Sequence, residues 1–162
     1  MKGFTLIELL ISVAILGIVA GVGGDLLLTS IRSYNKSQVL NTLSQNGGFA
    51  LTTLKNEVQN AQSATCTVSS LNVVNQAGNL IIYSITAGTV SPCTNGSFMR
   101  GSDYLLNTAT SPTVGVTGGS FTCDGNLVTI NLGLSQACGT SGFDSGASTS
   151  LRTSVLVRGA YR

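Results

Sequence analysis

Glu8 is the residue whose chemistry most needs a reason. It stands in the run Phe4-Thr5-Leu6-Ile7-Glu8-Leu9-Leu10-Ile11-Ser12-Val13-Ala14-Ile15-Leu16, and the chain stays largely apolar to Leu28. A charged group at the centre of a bilayer costs roughly 2.5–3.5 kcal/mol on insertion scales. Glu8 lies near one end of the run, where the cost is smaller, but a carboxylate there still asks for a cationic partner. The remaining acids offer less. Asp25 closes the apolar run, Glu57 lies further on, and Asp103, Asp124 and Asp144 are scattered beside glycine or serine in turn-like sequence. The chain has no histidine, which removes the commonest general base and metal ligand. Serine is abundant, but no G-x-S-x-G elbow is present to present one as a nucleophile. Asp144 with Ser145 and Ser148 supplies too few oxygens for a calcium loop. These residues argue against an exported enzyme and point to no metal and no cofactor.

Four cysteines, Cys66, Cys93, Cys123 and Cys138, all follow the apolar run. An even number in an exported domain reads as two disulfides. Of the three possible pairings, the sequence-local closures Cys66–Cys93 and Cys123–Cys138 are favoured, each stabilising by roughly 3 kcal/mol. The alternative is four thiols in a cytosolic protein. No C-x-x-C pair is present, so zinc or thioredoxin-like chemistry has no support.

These groups have to be positioned by a membrane helix and a small body. Thr5 to Leu28 would form a helix about 36 Å long, more than the ~30 Å hydrocarbon core. That is too long for the apolar part of a signal peptide, and no A-x-A cleavage site follows it. Lys2 alone precedes it, so the positive-inside rule keeps the N-terminus cytoplasmic and sends the body across. Leu40, Leu43, Ala50, Leu54, Val58 and Ala61 continue at mostly helical steps, with Gly47 on the same face. One helix from about Phe4 to Gln62 is the economical reading. Gly17, Gly21, Gly23, Gly24, Gly47 and Gly48 weaken it, each by about 1 kcal/mol relative to alanine. They serve close packing or local unwinding, or are simply tolerated. Asp25 marks the outer interface or pairs with a basic residue of another copy, and Lys55 and Glu57 read as a solvated face.

Lys2-Gly3-Phe4-Thr5-Leu6-Ile7-Glu8 resembles the processing site of type IV prepilins and type II secretion pseudopilins. The resemblance implies cleavage between Gly3 and Phe4 by a membrane-embedded prepilin peptidase, then N-methylation of Phe4. It also implies an assembly role for Glu8, whose carboxylate would pair with the new Phe4 amine of a neighbouring subunit. An unpaired buried charge costs several kcal/mol, so correct register is favoured. The implied partners are the peptidase, other pilin or pseudopilin subunits, the inner-membrane assembly platform with its ATPase, and membrane lipid. Many major pilins have proline where this chain has Asp25. Gln45-Asn46-Gly47-Gly48-Phe49-Ala50-Leu51, Glu57-Val58-Gln59-Asn60-Ala61 and Thr153-Ser154-Val155-Leu156-Val157-Arg158 are similar to W-type minor pilins and J-type minor pseudopilins, which favours a minor subunit.

The organisation that follows is a leader at 1–3, a transmembrane and assembly helix at 4–28, its amphipathic continuation at 29–63, and a disulfide-containing β-rich domain at 64–162. Candidate strands are Leu71–Val74, Leu80–Thr86, Ser97–Arg100, Ser120–Cys123, Leu127–Leu132 and Thr153–Arg158. Asp124-Gly125 signals a tight hairpin turn, and Asn107–Gly119 and Ser141–Ser150 read as loops. The fold class is α+β and pilin-like, a long N-terminal helix packed on an antiparallel sheet. Net charge is only +2 and charged residues are 9% of the chain, with no basic cluster, so no nucleic-acid site is evident. The function expected is a structural subunit, anchored in the cytoplasmic membrane and assembled into a surface pilus or a pseudopilus. The rival is a membrane-anchored binding or adhesion module that never polymerises.

Overall fold

One helix accounts for a third of the chain because nothing between residues 6 and 59 breaks it. In a computed structural model that describes residues 5–88, 94, 96–106, 114–136 and 147–159, α1 runs unbroken over Leu6–Gln59. Its 54 residues correspond to about 81 Å at 1.5 Å per residue. Thr5, in extended conformation, caps the start by accepting a hydrogen bond from the Glu8 amide, satisfying one of the free first-turn donors. No proline interrupts the helix, and it passes straight through all six of its glycines. At the other end, the Gln59 and Asn60 carbonyls accept from the Arg158 amide and the Gln76 side chain at 3.3 and 3.0 Å.

The body contains two antiparallel sheets. β1 (Ser63–Cys66), β2 (Ser70–Val74), β3 (Leu80–Thr86), β4 (Ser97–Arg100) and β5 (Asp103–Leu106) pair in sequence order, as do β6 (Val114–Asp124), β7 (Leu127–Gln136) and β8 (Ser148–Leu156). The β6–β7 hairpin turns through Gly125 and Asn126, with Asp124 opposite Leu127 and Gly125 at φ 56°. That left-handed backbone suits glycine, so the Asp124-Gly125 signal is borne out. Backbone hydrogen bonds from Phe121 to Val68 and from Val116 to Gly96, both 3.0 Å, tie β6 to the first sheet.

The core lies between these sheets and the second half of α1. Leu43, Ala50, Leu54 and Val58 are fully buried, and their steps of seven, four and four residues keep them on one helical stripe. Against them stand Tyr83, Phe98 and Phe121, whose rings approach at centroid distances of 5.9 and 6.3 Å. Gly47 belongs to this stripe for a steric reason. A Cβ there would collide with the methyls of Leu134 and Leu151.

The expected α+β arrangement of a long helix on antiparallel sheet is the one observed, with corrections in detail. β1 and β5 were not anticipated. They are four-residue edge strands, too short to show an alternating pattern. Asn107–Gly119 is not all loop, because β6 begins at Val114, and β8 begins at Ser148 inside the expected Ser141–Ser150 loop. Both segments are rich in glycine, serine or threonine, yet cross-strand pairing with β7 extends them. Residues 107–113 and 141–146 lie outside the described residues.

Candidate functional site

The N-terminal candidate is built by the first turn of α1. Thr5 holds the chain out of the helix, and the helix then carries Glu8 in its first turn. A carboxylate there meets the positive end of the helix dipole, worth typically 0.3–1 kcal/mol. The Ser12 hydroxyl donates to the Glu8 carbonyl at 2.7 Å, which leaves the carboxylate itself unengaged. Glu8 is exposed and has no side-chain partner among the described residues. Gly3 and Phe4 lie outside the described residues.

Around Glu8 the helix surface is bare. From Leu6 to Tyr34 every residue of α1 is exposed, and the first buried one is Leu43. The stretch is long and apolar enough to cross a membrane, with none of it buried inside the protein. Apolar side chains on every face of a helix need an apolar environment on every face, and the body does not provide it.

The body holds a second cluster that the sequence reading did not find. The Glu57 carboxylate accepts from the Tyr83 hydroxyl at 2.6 Å and from Arg100 Nη2 at 2.7 Å. Glu57 is therefore not part of a solvated face; it joins α1 to β3 and β4. Burial, then the hydrogen bond to Glu57, pushes the Tyr83 phenol well above its usual range, and the same carboxylate raises Arg100 further. The three groups are committed to one another. The arrangement suits a structural latch. A signal was available: alternation from the apolar Phe98 puts Arg100 on the inner face of β4, and Glu57 is the one acid in the body half of the helix.

The cysteine expectation is corrected. Cys66 is bonded to Cys123, 57 residues away, so the local closures Cys66–Cys93 and Cys123–Cys138 do not form. Local closure takes no account of the sheets. Cys66 ends β1 and Cys123 lies near the end of β6, and the bond staples the first sheet to the second. Cys93 and Cys138 lie outside the described residues. Asp103 and Asp124 are exposed at strand ends in different sheets, and Asp144 lies outside the described residues.

Comparison with known proteins locates the informative segment. Residues 1–24 match the model of the prokaryotic N-terminal methylation motif, the prepilin-type signal of type IV pilins and pseudopilins. No curated protein and no solved structure matches the chain.

Proposed function

We propose that this chain is a structural subunit of a type IV pilus or type II secretion pseudopilus, and a minor subunit of it. The observation that carries the reading is the methylation motif on residues 1–24, which overlaps the start of an apolar helix with no packing partner among the described residues. In this reading prepilin peptidase cuts between Gly3 and Phe4, and Phe4 is N-methylated. The helix holds the subunit in the cytoplasmic membrane, N-terminus inside, until an assembly platform passes it into a filament of fellow subunits. Glu8 is the assembly residue: its carboxylate pairs with the Phe4 amine of a neighbour. Chemistry is done to this protein and not by it. The minor assignment rests on the W- and J-like sequence at Gln45–Leu51 and Glu57–Ala61.

Cys93 and Cys138 form the second disulfide in this account, by elimination. Support comes from their described neighbours: the Thr94 amide donates to the Gln136 carbonyl at 3.1 Å, which brings the two chain segments together.

Substitution of Glu8 tests the assembly role. Glu8→Ala should cut incorporation into sheared filaments or co-purified pseudopili at least tenfold, while membrane fractionation shows normal insertion. Normal incorporation of that variant would overturn the ion-pair role, whereas absence of the wild-type chain itself from filaments would favour a non-polymerising anchored module.

A further inference from the structure

We propose that the cavity at the C-terminal end of α1 binds an uncharged saccharide. The cavity holds about 440 Å³ and lies where the helix end meets β2, β3 and β4. That size falls within the range of small-molecule sites, which are mostly apolar with a few placed polar groups. Ala77 and the half-buried Ile81 give it an apolar side, with the fully buried Val73 beneath. Four carboxamide residues join them in the lining: Asn56 and Asn60 from the helix end, and Asn75 and Gln76 from the β2–β3 connection. Glu57 and Arg100 complete the wall and neutralise each other.

The carboxamides have hydrogen-bonding capacity to spare. Asn56 bonds Asn60 only through its backbone carbonyl, which leaves its side chain unengaged among the described residues. Asn75 accepts from the Ala77 and Asn79 amides through Oδ1, at 3.0 and 2.9 Å, and keeps Nδ2. Gln76 donates from Nε2 to the Asn60 carbonyl at 3.0 Å and keeps Oε1. The same bonds hold the β2–β3 connection against the helix end, so the groups are in place before a ligand arrives. Arg100 adds a donor that the fold leaves unused. Its Nη2 is committed to Glu57, but Nε is closed to solvent and has no acceptor, the one such buried side-chain atom among the described residues. An unpaired buried donor is costly. A ligand oxygen against this half-exposed side chain would let the guanidinium turn and pair.

These groups select the ligand class. A carboxamide sets a donor beside an acceptor, and neighbouring sugar hydroxyls answer both, since each hydroxyl donates and accepts. The C–H face of a sugar ring suits the side made by Ala77 and Ile81. With Glu57 and Arg100 paired, the cavity has no net charge to attract an ionic ligand. A peptide is served less well. β2, β3 and β4 are interior strands of their sheet, so no free edge is open here for a chain to add a strand. Among the described residues no aromatic side chain lines the cavity, so no ring is stacked and binding should be weak. Asn56 lies 28 residues beyond Leu28, about 42 Å along the axis, which keeps the cavity clear of a bilayer around the apolar segment. An anchored subunit and an assembled one could both use it, so the site stands apart from the filament reading.

The test is binding of the full-length chain, solubilised in a detergent without a sugar headgroup, to a printed array of uncharged and acidic glycans. Dense display on the array catches weak binding. At least one uncharged glycan should be bound. Ala77→Trp, which fills the cavity from the turn, should lower that binding at least tenfold, and Asn56→Ala about fivefold. Both variants should unfold at the wild-type temperature, because Ala77 and Asn56 are exposed; if Ala77→Trp does not, Asn56→Ala decides. Absence of binding to every uncharged glycan, or binding to acidic glycans alone, would overturn the proposal. Binding that survives Ala77→Trp in a folded chain, or Asn56→Ala where that variant decides, would put the sugar elsewhere and overturn the site. Binding to an array of overlapping peptides from this chain instead of to glycans, lost with Ala77→Trp, would make the cavity a contact between subunits and overturn the saccharide.

Discussion

The two halves of α1 have the same backbone and opposite surroundings. Leu16 is 66% exposed and Leu26 64%, whereas Leu43, Leu54 and Val58 are fully buried. In the N-terminal half apolar residues occupy every face. In the body half they occupy one stripe, and Asn41, Gln45 and Lys55 take the others. The charges divide in the same way. Glu57 has two partners within its chain, while Glu8 and Asp25 have no side-chain partner among the described residues. The body half is complete as the chain folds. The N-terminal half is long and apolar enough to cross a membrane and needs an apolar environment that the described residues of the body do not supply.

This contrast can be broken by finding a body contact that does not matter, or a membrane-half residue that stabilises the body. The largest effect on the body should come from the Cys66–Cys123 bond. It closes a 57-residue separation, and in the chain-entropy model its removal by paired serine substitution costs about 4 kcal/mol. Thermal unfolding of the detergent-solubilised chain would report the loss, and non-reducing peptide mapping should recover the 66–123 crosslink directly. Next comes Leu54→Ala, which should destabilise the body by about 2–5 kcal/mol through lost burial and the cavity left behind. Leu16→Ala, in the same assay, should leave body stability unchanged. A matching loss from Leu16→Ala would mean the two halves are not separate in the way described.

Smaller effects should come from the latch. Glu57→Gln leaves Arg100 without its carboxylate and should cost about 1–3 kcal/mol. Tyr83→Phe removes one hydrogen bond, worth about 1 kcal/mol, and has a pH signature. The folded Tyr83 phenol titrates above its unfolded value of 10.0. Its contribution is therefore fully present below about pH 10 and is lost as pH rises further. The wild-type chain should lose stability above about pH 10 more steeply than Tyr83→Phe, as measured by unfolding at a series of alkaline pH values. Equal slopes would place the phenol outside the latch.

Much of this molecule was legible before the fold was known, for reasons that differ by region. The long helix was readable because its two periodicities, apolar on all faces and then on one stripe, are local properties of sequence. The Asp124-Gly125 turn was readable because glycine answers a local backbone need. Sheet partnership is not local. β1 and β5 are strands only because neighbours pair with them, and the glycine-rich start of β6 looks like loop until β7 lies beside it. The disulfide failed for the same reason, since Cys66 and Cys123 meet through sheet topology and not through sequence distance. Glu57 was misread because, among the polar positions of the helix, its partners Tyr83 and Arg100 come from strands 26 and 43 residues away. At the N-terminal site the position was the reverse. Lys2-Gly3-Phe4 and Glu8 lie within a linear motif, the N-terminal methylation motif matched over residues 1–24, so the sequence there carries more than the fold does.

The measurement that reaches the central claim most directly is the mass of the N-terminus. Protein taken from membranes that contain active prepilin peptidase should begin at Phe4 and carry one added methyl group on its amine, with Met1-Lys2-Gly3 absent. A chain still beginning at Met1 under those conditions would contradict the account.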